Sequence, residues 1–178
     1  MDAFVVIDMQ EGSLVNSDKY DVPGVVGRIN LIAGKIRAKG GRVIFIQQDG
    51  TEEESLAPGS SGWEVLSSLH QEPDDLHISK TTNDSFYGTE LEECLKQLNV
   101  ARLIICGWAT DQCVDSTIRA AISRDYEVVV ASDCHTVSDR TITAQQVITH
   151  HNGIWAHLLT PGKLIKVIPA KEVIRSLA

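Results

Sequence analysis

The feature that most limits the fold of this 178-residue chain is a set of short runs that are apolar on consecutive residues. They are Phe4–Ile7, Arg42–Gln47, Asp75–Ser79, Leu103–Cys106, Glu127–Ala131 and Leu164–Ile168, most of them rich in Val and Ile. A strand with one face in water alternates apolar and polar residues, whereas a strand apolar on both faces needs cover on both. The sequence supplies that cover. Val22, Val25, Val26, Ile29, Ile32, Ala33 and Ile36 fall at helical spacing, with Pro23 near the start and Gly40-Gly41 past the end. Thr89 to Glu92 reads as a capping box ahead of Leu91, Leu95 and Leu98. Further helices are predicted at about Gln112–Arg124, Arg140–His157 and Ala170–Leu177. Strand–helix alternation with right-handed crossovers predicts a three-layer α/β/α architecture, a doubly wound, Rossmann-like and mainly parallel sheet of about six strands. With no internal repeat and no linker-like break, residues 1–178 read as one domain. Residues 48–74 carry Gly, Ser, Pro and acidic residues without periodicity, and so long a loop is usually functional, as a lid or a wall of a site.

Composition narrows the possible partners. Hydrophobic residues at 43% and charged residues at 22% exclude a disordered, collagen-like or coiled-coil chain. Sixteen basic against 24 acidic residues give a net charge of −8 with no run of Lys or Arg, which argues against nucleic acid and anionic membranes as partners. No apolar stretch reaches the roughly 18 residues of a membrane helix, and Met1-Asp2-Ala3-Phe4 lacks the basic start of a secretory signal. Cys94, Cys106, Cys113 and Cys134 form no Cys-x-x-Cys pair and no finger-like spacing. A disulfide framework and a structural zinc are both poor readings, and a reducing cytoplasm is the expected location.

Three polar positions stand at carboxyl ends of predicted strands: Asp8, Lys80 and the Gly107–Cys113 turn. In a parallel sheet these ends point the same way, so the three could converge on one pocket. Cys113 starts a predicted helix, with Thr110 or Asp111 as its cap, and a helix N-terminus with a nearby ammonium favours a thiolate. Cys94 and Cys106 face apolar surroundings and read as inert, Cys134 is left undecided, and Cys113 is the candidate nucleophile.

These stretches resemble the isochorismatase-like cysteine hydrolases. The blocks are Val5-Val6-Ile7-Asp8-Met9-Gln10, Ile78-Ser79-Lys80 with Asp84-Ser85-Phe86-Tyr87-Gly88-Thr89, and Gly107-Trp108-Ala109-Thr110-Asp111-Gln112-Cys113-Val114. Asp133-Cys134-His135-Thr136 and His150-His151-Asn152 extend the likeness over almost the whole chain. The resemblance implies an Asp-Lys-Cys triad of Asp8, Lys80 and Cys113. It also implies a cis Trp108–Ala109 peptide bond and an oxyanion hole from the Ala109 and Cys113 N–H groups. The implied reaction is hydrolysis of a carbon–nitrogen (amide) bond in a small molecule through a thioester. Vinyl-ether hydrolysis of isochorismate, or a non-catalytic oligomeric protein retaining the triad, are the alternatives. Metal-binding nicotinamidases of this family carry a histidine cluster after the second strand. Here that stretch reads Gln47-Gln48-Asp49-Gly50 with no histidine before His70, so no metal or cofactor is expected. Streptothricin hydrolase-like members, with a Gln-His-Asp-Gly stretch, are the nearer match, Gln48 standing in place of that His, and the family implies a homo-oligomer.

Trp63, Phe86, Tyr87 and Trp108 fall in or beside strand-end loops and could form an apolar wall for a small substrate. Loop packing or a subunit interface is the competing reading for Trp63 and Tyr87. Asp49 stands at the end of the second strand as a further substrate-binding candidate, and Gln10 could orient substrate or cap the following loop. His151 shares a helical stripe with Ala144, Val147, Ile148 and Trp155 and reads as a core histidine; structural hydrogen bonds are expected for His135 and His150.

Overall fold

The computed structural model describes residues 1–15, 18–160, 162 and 165–177. Six strands, β1 (Asp2–Ile7), β2 (Arg42–Gln48), β3 (Leu76–Lys80), β4 (Arg102–Trp108), β5 (Glu127–Thr136) and β6 (Ile165–Ile168), form one sheet in the order β3-β2-β1-β4-β5-β6. Every neighbouring pair is parallel. The expected doubly wound α/β fold is therefore the fold observed, and its order reverses between β1 and β4. Leu164, the expected first residue of the last strand, lies outside the described residues.

The apolar runs are split between two helical layers by their period of two. Phe4, Val6, Val43, Phe45, Ile104 and Val129 point toward α2 (Val22–Ala38) and α6 (Ala170–Ser176). Ala3, Val5, Ile7, Ile44, Ile46, Ile105 and Val130 point the other way, toward α3 (Leu91–Gln97), α4 (Asp115–Ser123) and α5 (Ala144–Trp155). A short α1 (Glu11–Leu14) follows β1. No described helix is long and apolar enough to cross a membrane.

Several element ends differ from expectation for local reasons. The capping box predicted at Thr89 does not form: Glu90 is the N-cap of α3 without a side-chain bond. The Thr89 hydroxyl instead donates to Ser85 O at 2.6 Å and accepts from Leu91 N–H at 3.3 Å. A capping box forms where none was predicted, between Thr143 and Gln146, and it starts α5 at Ala144 rather than Arg140. Neither Thr110 nor Asp111 caps the segment carrying Cys113. That segment begins as a π-helical turn, Thr110–Val114, whose N-cap Ala109 makes no side-chain bond.

β5 carries the main irregularity of the sheet. Ile105 pairs with Val130 and Gly107 with His135, so Cys106 alone faces Ala131, Ser132, Asp133 and Cys134. The bulge ties both helical layers to the sheet. Asp133 accepts from the Ala170 N–H at the start of α6 (2.7 Å), its carbonyl accepts from Arg28 of α2 (2.6 Å), and Ser132 O accepts from Asn152 of α5 (2.9 Å).

Candidate active site

Asp8 is the first residue past β1, and its backbone holds φ at +50°, a region Asp tolerates better than most residues. Its N–H still donates to Ile46 O at 2.9 Å, so the turn begins without loss of the sheet hydrogen bond. Gly107 makes the neighbouring approach possible. It pairs with Ile7 at φ +125°, and a Cβ there would lie 2.1 Å from Ile7 O. The Trp108–Ala109 peptide bond that follows is cis.

Lys80 is the last residue of β3, an edge strand two spacings, about 10 Å, from β1. Only a long side chain can cross β2 to reach the centre, and the Lys80 stem does so fully buried. Its Nζ lies 2.7 Å from Asp8 Oδ2 and 3.4 Å from Cys113 Sγ. It also donates to Gln48 Oε1 at 2.7 Å and to Thr82 O at 2.9 Å. The three side chains expected to act together thus meet at the carboxyl edge, beside the reversal of strand order where open α/β sheets place their ligand sites.

Electrostatics set the resting protonation of this cluster. Burial raises Asp8 above the usual carboxylate range, and the Lys80 charge with hydrogen bonding from Lys80 and Cys113 opposes that rise. The ion pair is close, yet neither Asp8 oxygen has an angularly well-formed hydrogen bond. Burial, reinforced by the Asp8 charge, pushes the Cys113 thiol up to about 12 despite Lys80. This corrects the expectation of a helix-stabilised thiolate. A thiolate beside an ionised Asp8 would place two anions against one cation in a dry site, so the sulfur rests protonated.

The other candidates disperse. Gln10 is fully committed within the protein: its Nε2 donates to Gln48 O (3.1 Å) and Trp63 O (2.9 Å), and its Oε1 accepts from Gln48 N–H (2.9 Å). It clamps the long loop to the ends of β1 and β2. Asp49 accepts from Trp63 Nε1 at 2.8 Å, which holds both at the loop base. Phe86 turns into the core, stacked 6.0 Å from Tyr126 with the Arg124 guanidinium 4.7 Å over its ring. Tyr87 points outward at 67% exposure. Trp108 is half-buried with Lys19 Nζ 5.5 Å over its ring. A four-member aromatic wall is not what forms, because Phe86 and Tyr87 leave in opposite directions.

His135 is buried and hydrogen-bonded through both ring nitrogens, to Thr110 and Asn152. His150 is exposed, and His151 is half-buried with Nδ1 bonded to Val147 O at 2.9 Å. Asn83, Thr82 and Gln48 touch the cluster and were not singled out from sequence; Asn83 Oδ1 lies 3.5 Å from Cys113 Sγ. Gln48 was readable in principle, since it pairs with Lys80 in register. No group of three or more His, Cys, Asp or Glu among the described residues is arranged to hold a metal ion.

Comparison with known proteins gives concordant matches. The isochorismatase domain family matches residues 2–160. A streptothricin hydrolase of Streptomyces noursei is 30% identical over 77% of this chain and 55% of its own length. A ureidoacrylate amidohydrolase, RutB, of Variovorax paradoxus is 28% identical over 74% of this chain and 67% of its own. The chain spans about half the length of the two streptothricin hydrolases it matches. A crystal structure of an isochorismatase family protein superposes with a TM-score of 0.85 at 32% identity, covering 94% of this chain and 97% of that one. A cysteine hydrolase from Pseudomonas syringae shares the fold, with a TM-score of 0.87 at 24% identity over 99% and 92% of the two chains.

Proposed function

This chain belongs to the isochorismatase domain family, and from that premise we propose that it is a cysteine hydrolase that cleaves the carbon–nitrogen bond of a small amide. The observation that carries this reading is the single buried ammonium of Lys80 touching both the Asp8 carboxylate, at 2.7 Å, and the Cys113 sulfur, at 3.4 Å. The names of the relatives, an amidohydrolase and a streptothricin hydrolase, support it.

The geometry suits a concerted first step. Asp8 takes the thiol proton as Sγ bonds to the carbonyl carbon, and the π electrons move onto oxygen. The Ala109 and Cys113 N–H groups receive that oxyanion, a contribution of about 3–4 kcal/mol per donor in comparable enzymes. Collapse breaks the C–N bond, and Asp8 returns its proton to the departing amine. Asp8 then deprotonates a water that attacks the thioester, the C–S bond breaks, and the sulfur regains a proton. Lys80 holds Asp8 ionised at the start and offsets the negative charge as it moves. A thiol that rests at about 12 makes the proton transfer to Asp8 part of the attack, not a preceding equilibrium.

The test is ammonia release across a panel of small amides, with Cys113→Ala as control. A turnover lost in Cys113→Ala, with the fold retained by circular dichroism, is the expected outcome. Full turnover by that variant would rule out the mechanism.

A further inference from the structure

Behind the turn carrying Cys113 runs a chain of side chains that the reaction above does not use. Asn152 Nδ2 donates to Ser132 O at 2.9 Å, which leaves Oδ1 as the acceptor facing His135 Nε2 at 3.1 Å. His135 therefore carries its proton on Nε2, and Nδ1 accepts from Thr110 Oγ1 at 2.9 Å. Thr110 Oγ1 also lies 3.0 Å from Thr136 O, so its one proton is shared between ring and carbonyl. The imidazole is 1% exposed and packs edge-on against Trp155 at 5.1 Å.

We propose that Thr110, His135 and Asn152 are positioning residues that fix the Cys113 sulfur against Asp8 and Lys80, a role that rests on the reading of Cys113 as nucleophile. Three observations converge on it. Thr110 begins the same five-residue π-helical turn that contains Cys113, and such turns are rare and frequent at functional sites. Ala109, the N-cap, offers no side-chain bond, so Thr110 is where a side chain ties the start of the turn to the sheet. His135 is the residue where β5 resumes pairing after its bulge, opposite Gly107, and its ring meets the turn at Thr110. The acceptor is also constant. Burial pushes His135 down to about 4, and the titratable groups acting on it are His151 from α5 and Asp133 from its own strand.

Iodoacetamide labelling read by peptide mass spectrometry tests this without a known substrate. Loss of the Thr110 hydroxyl frees the turn, the sulfur leaves its buried contacts, and its titration moves down toward that of an ordinary thiol. In Thr110→Val the pH midpoint of Cys113 labelling falls by about one unit or more, while Thr110→Ser keeps the parent midpoint. His135→Phe, which retains a ring against Trp155 and removes both nitrogens, behaves like Thr110→Val. Cys106 and Cys134, both fully buried, stay unlabelled in each variant and separate local release from unfolding. A parent-like Cys113 midpoint in Thr110→Val and His135→Phe overturns the proposal. So does labelling of Cys106 and Cys134 in both, since the chain would then hold the whole fold and not the turn. Hydrolysis surviving in Cys113→Ala would instead remove the nucleophile reading while leaving the labelling result standing.

Discussion

The Lys80 ammonium has three N–H donors and four polar neighbours: Gln48 Oε1, Thr82 O, Asp8 Oδ2 and Cys113 Sγ. Two donors go to neutral oxygens, and the third lies between carboxylate and sulfur. Gln48 thus binds the cation without adding charge, and Asp8 and Lys80 balance alone. Replacing it by a carboxylate adds a like charge beside Asp8 and raises Asp8 further. In Gln48→Glu the acidic limb of the kcat/KM profile therefore moves to higher pH; a limb that stays in place, or moves down, would contradict this account. In the parent, activity rises as pH passes through the raised Asp8 value, and the thiol form of Cys113 persists until about pH 12. Removing the cation tests the pair itself. Lys80→Met leaves a buried carboxylate unpaired and is expected to cost about 3–5 kcal/mol in urea unfolding at pH 7. Of these partners only Gln48 was within reach of the sequence, through its register with Lys80; Thr82 and Asn83 are common polar loop residues until the fold brings them to the cluster.

At the scale of elements, β4 and its π-helical turn decide the site. Gly107 is the residue that lets β4 close on β1, and the sequence showed only a glycine within a motif. Gly107→Ala puts a methyl 2.1 Å from Ile7 O at a φ of +125°. The expected loss is about 3 kcal/mol or more, read as a lower urea midpoint together with loss of the Cys113 environment. A midpoint within experimental error of the parent would show that the strand ends can part freely. The helix starts show why local patterns mislead. Thr89 and Thr143 both stand three residues before Glu or Gln, yet only Thr143 closes a capping box. Ser85 O captures the Thr89 hydroxyl, and Ser85 is held there by Thr117 at 2.8 Å, a contact 32 residues away in sequence.

Over the whole molecule, the buried titratable groups give stability a window in pH. His135 is held below its ordinary value, so its contribution is whole above pH 6.5 and is lost as pH falls through about 4. Cys113 is held above its ordinary value, so its contribution is whole below pH 9.0 and is lost as pH rises toward about 12. Each limb amounts to about 3–4 kcal/mol at most. Urea unfolding across pH 4 to 11 should show the alkaline decline reduced in Cys113→Ala and the acid decline reduced in His135→Phe. Equal slopes in parent and variants would mean that these groups are not the ones that titrate on folding. The sequence by itself determined the layered architecture, since runs apolar on every residue have no stable place except a sheet covered on both faces. It also placed Asp8, Lys80 and the Cys113 turn at strand ends pointing the same way, because the parallel direction of the strands follows from the alternation; the strand order came only with the structure. Only the tertiary structure decided which polar atoms surround those three, that the thiol rests protonated, that Gln10 is hydrogen-bonded to Gln48 and Trp63, and that Phe86 turns into the core. Those outcomes depend on burial and on contacts between strands far apart in the chain, and no local pattern of residues encodes either.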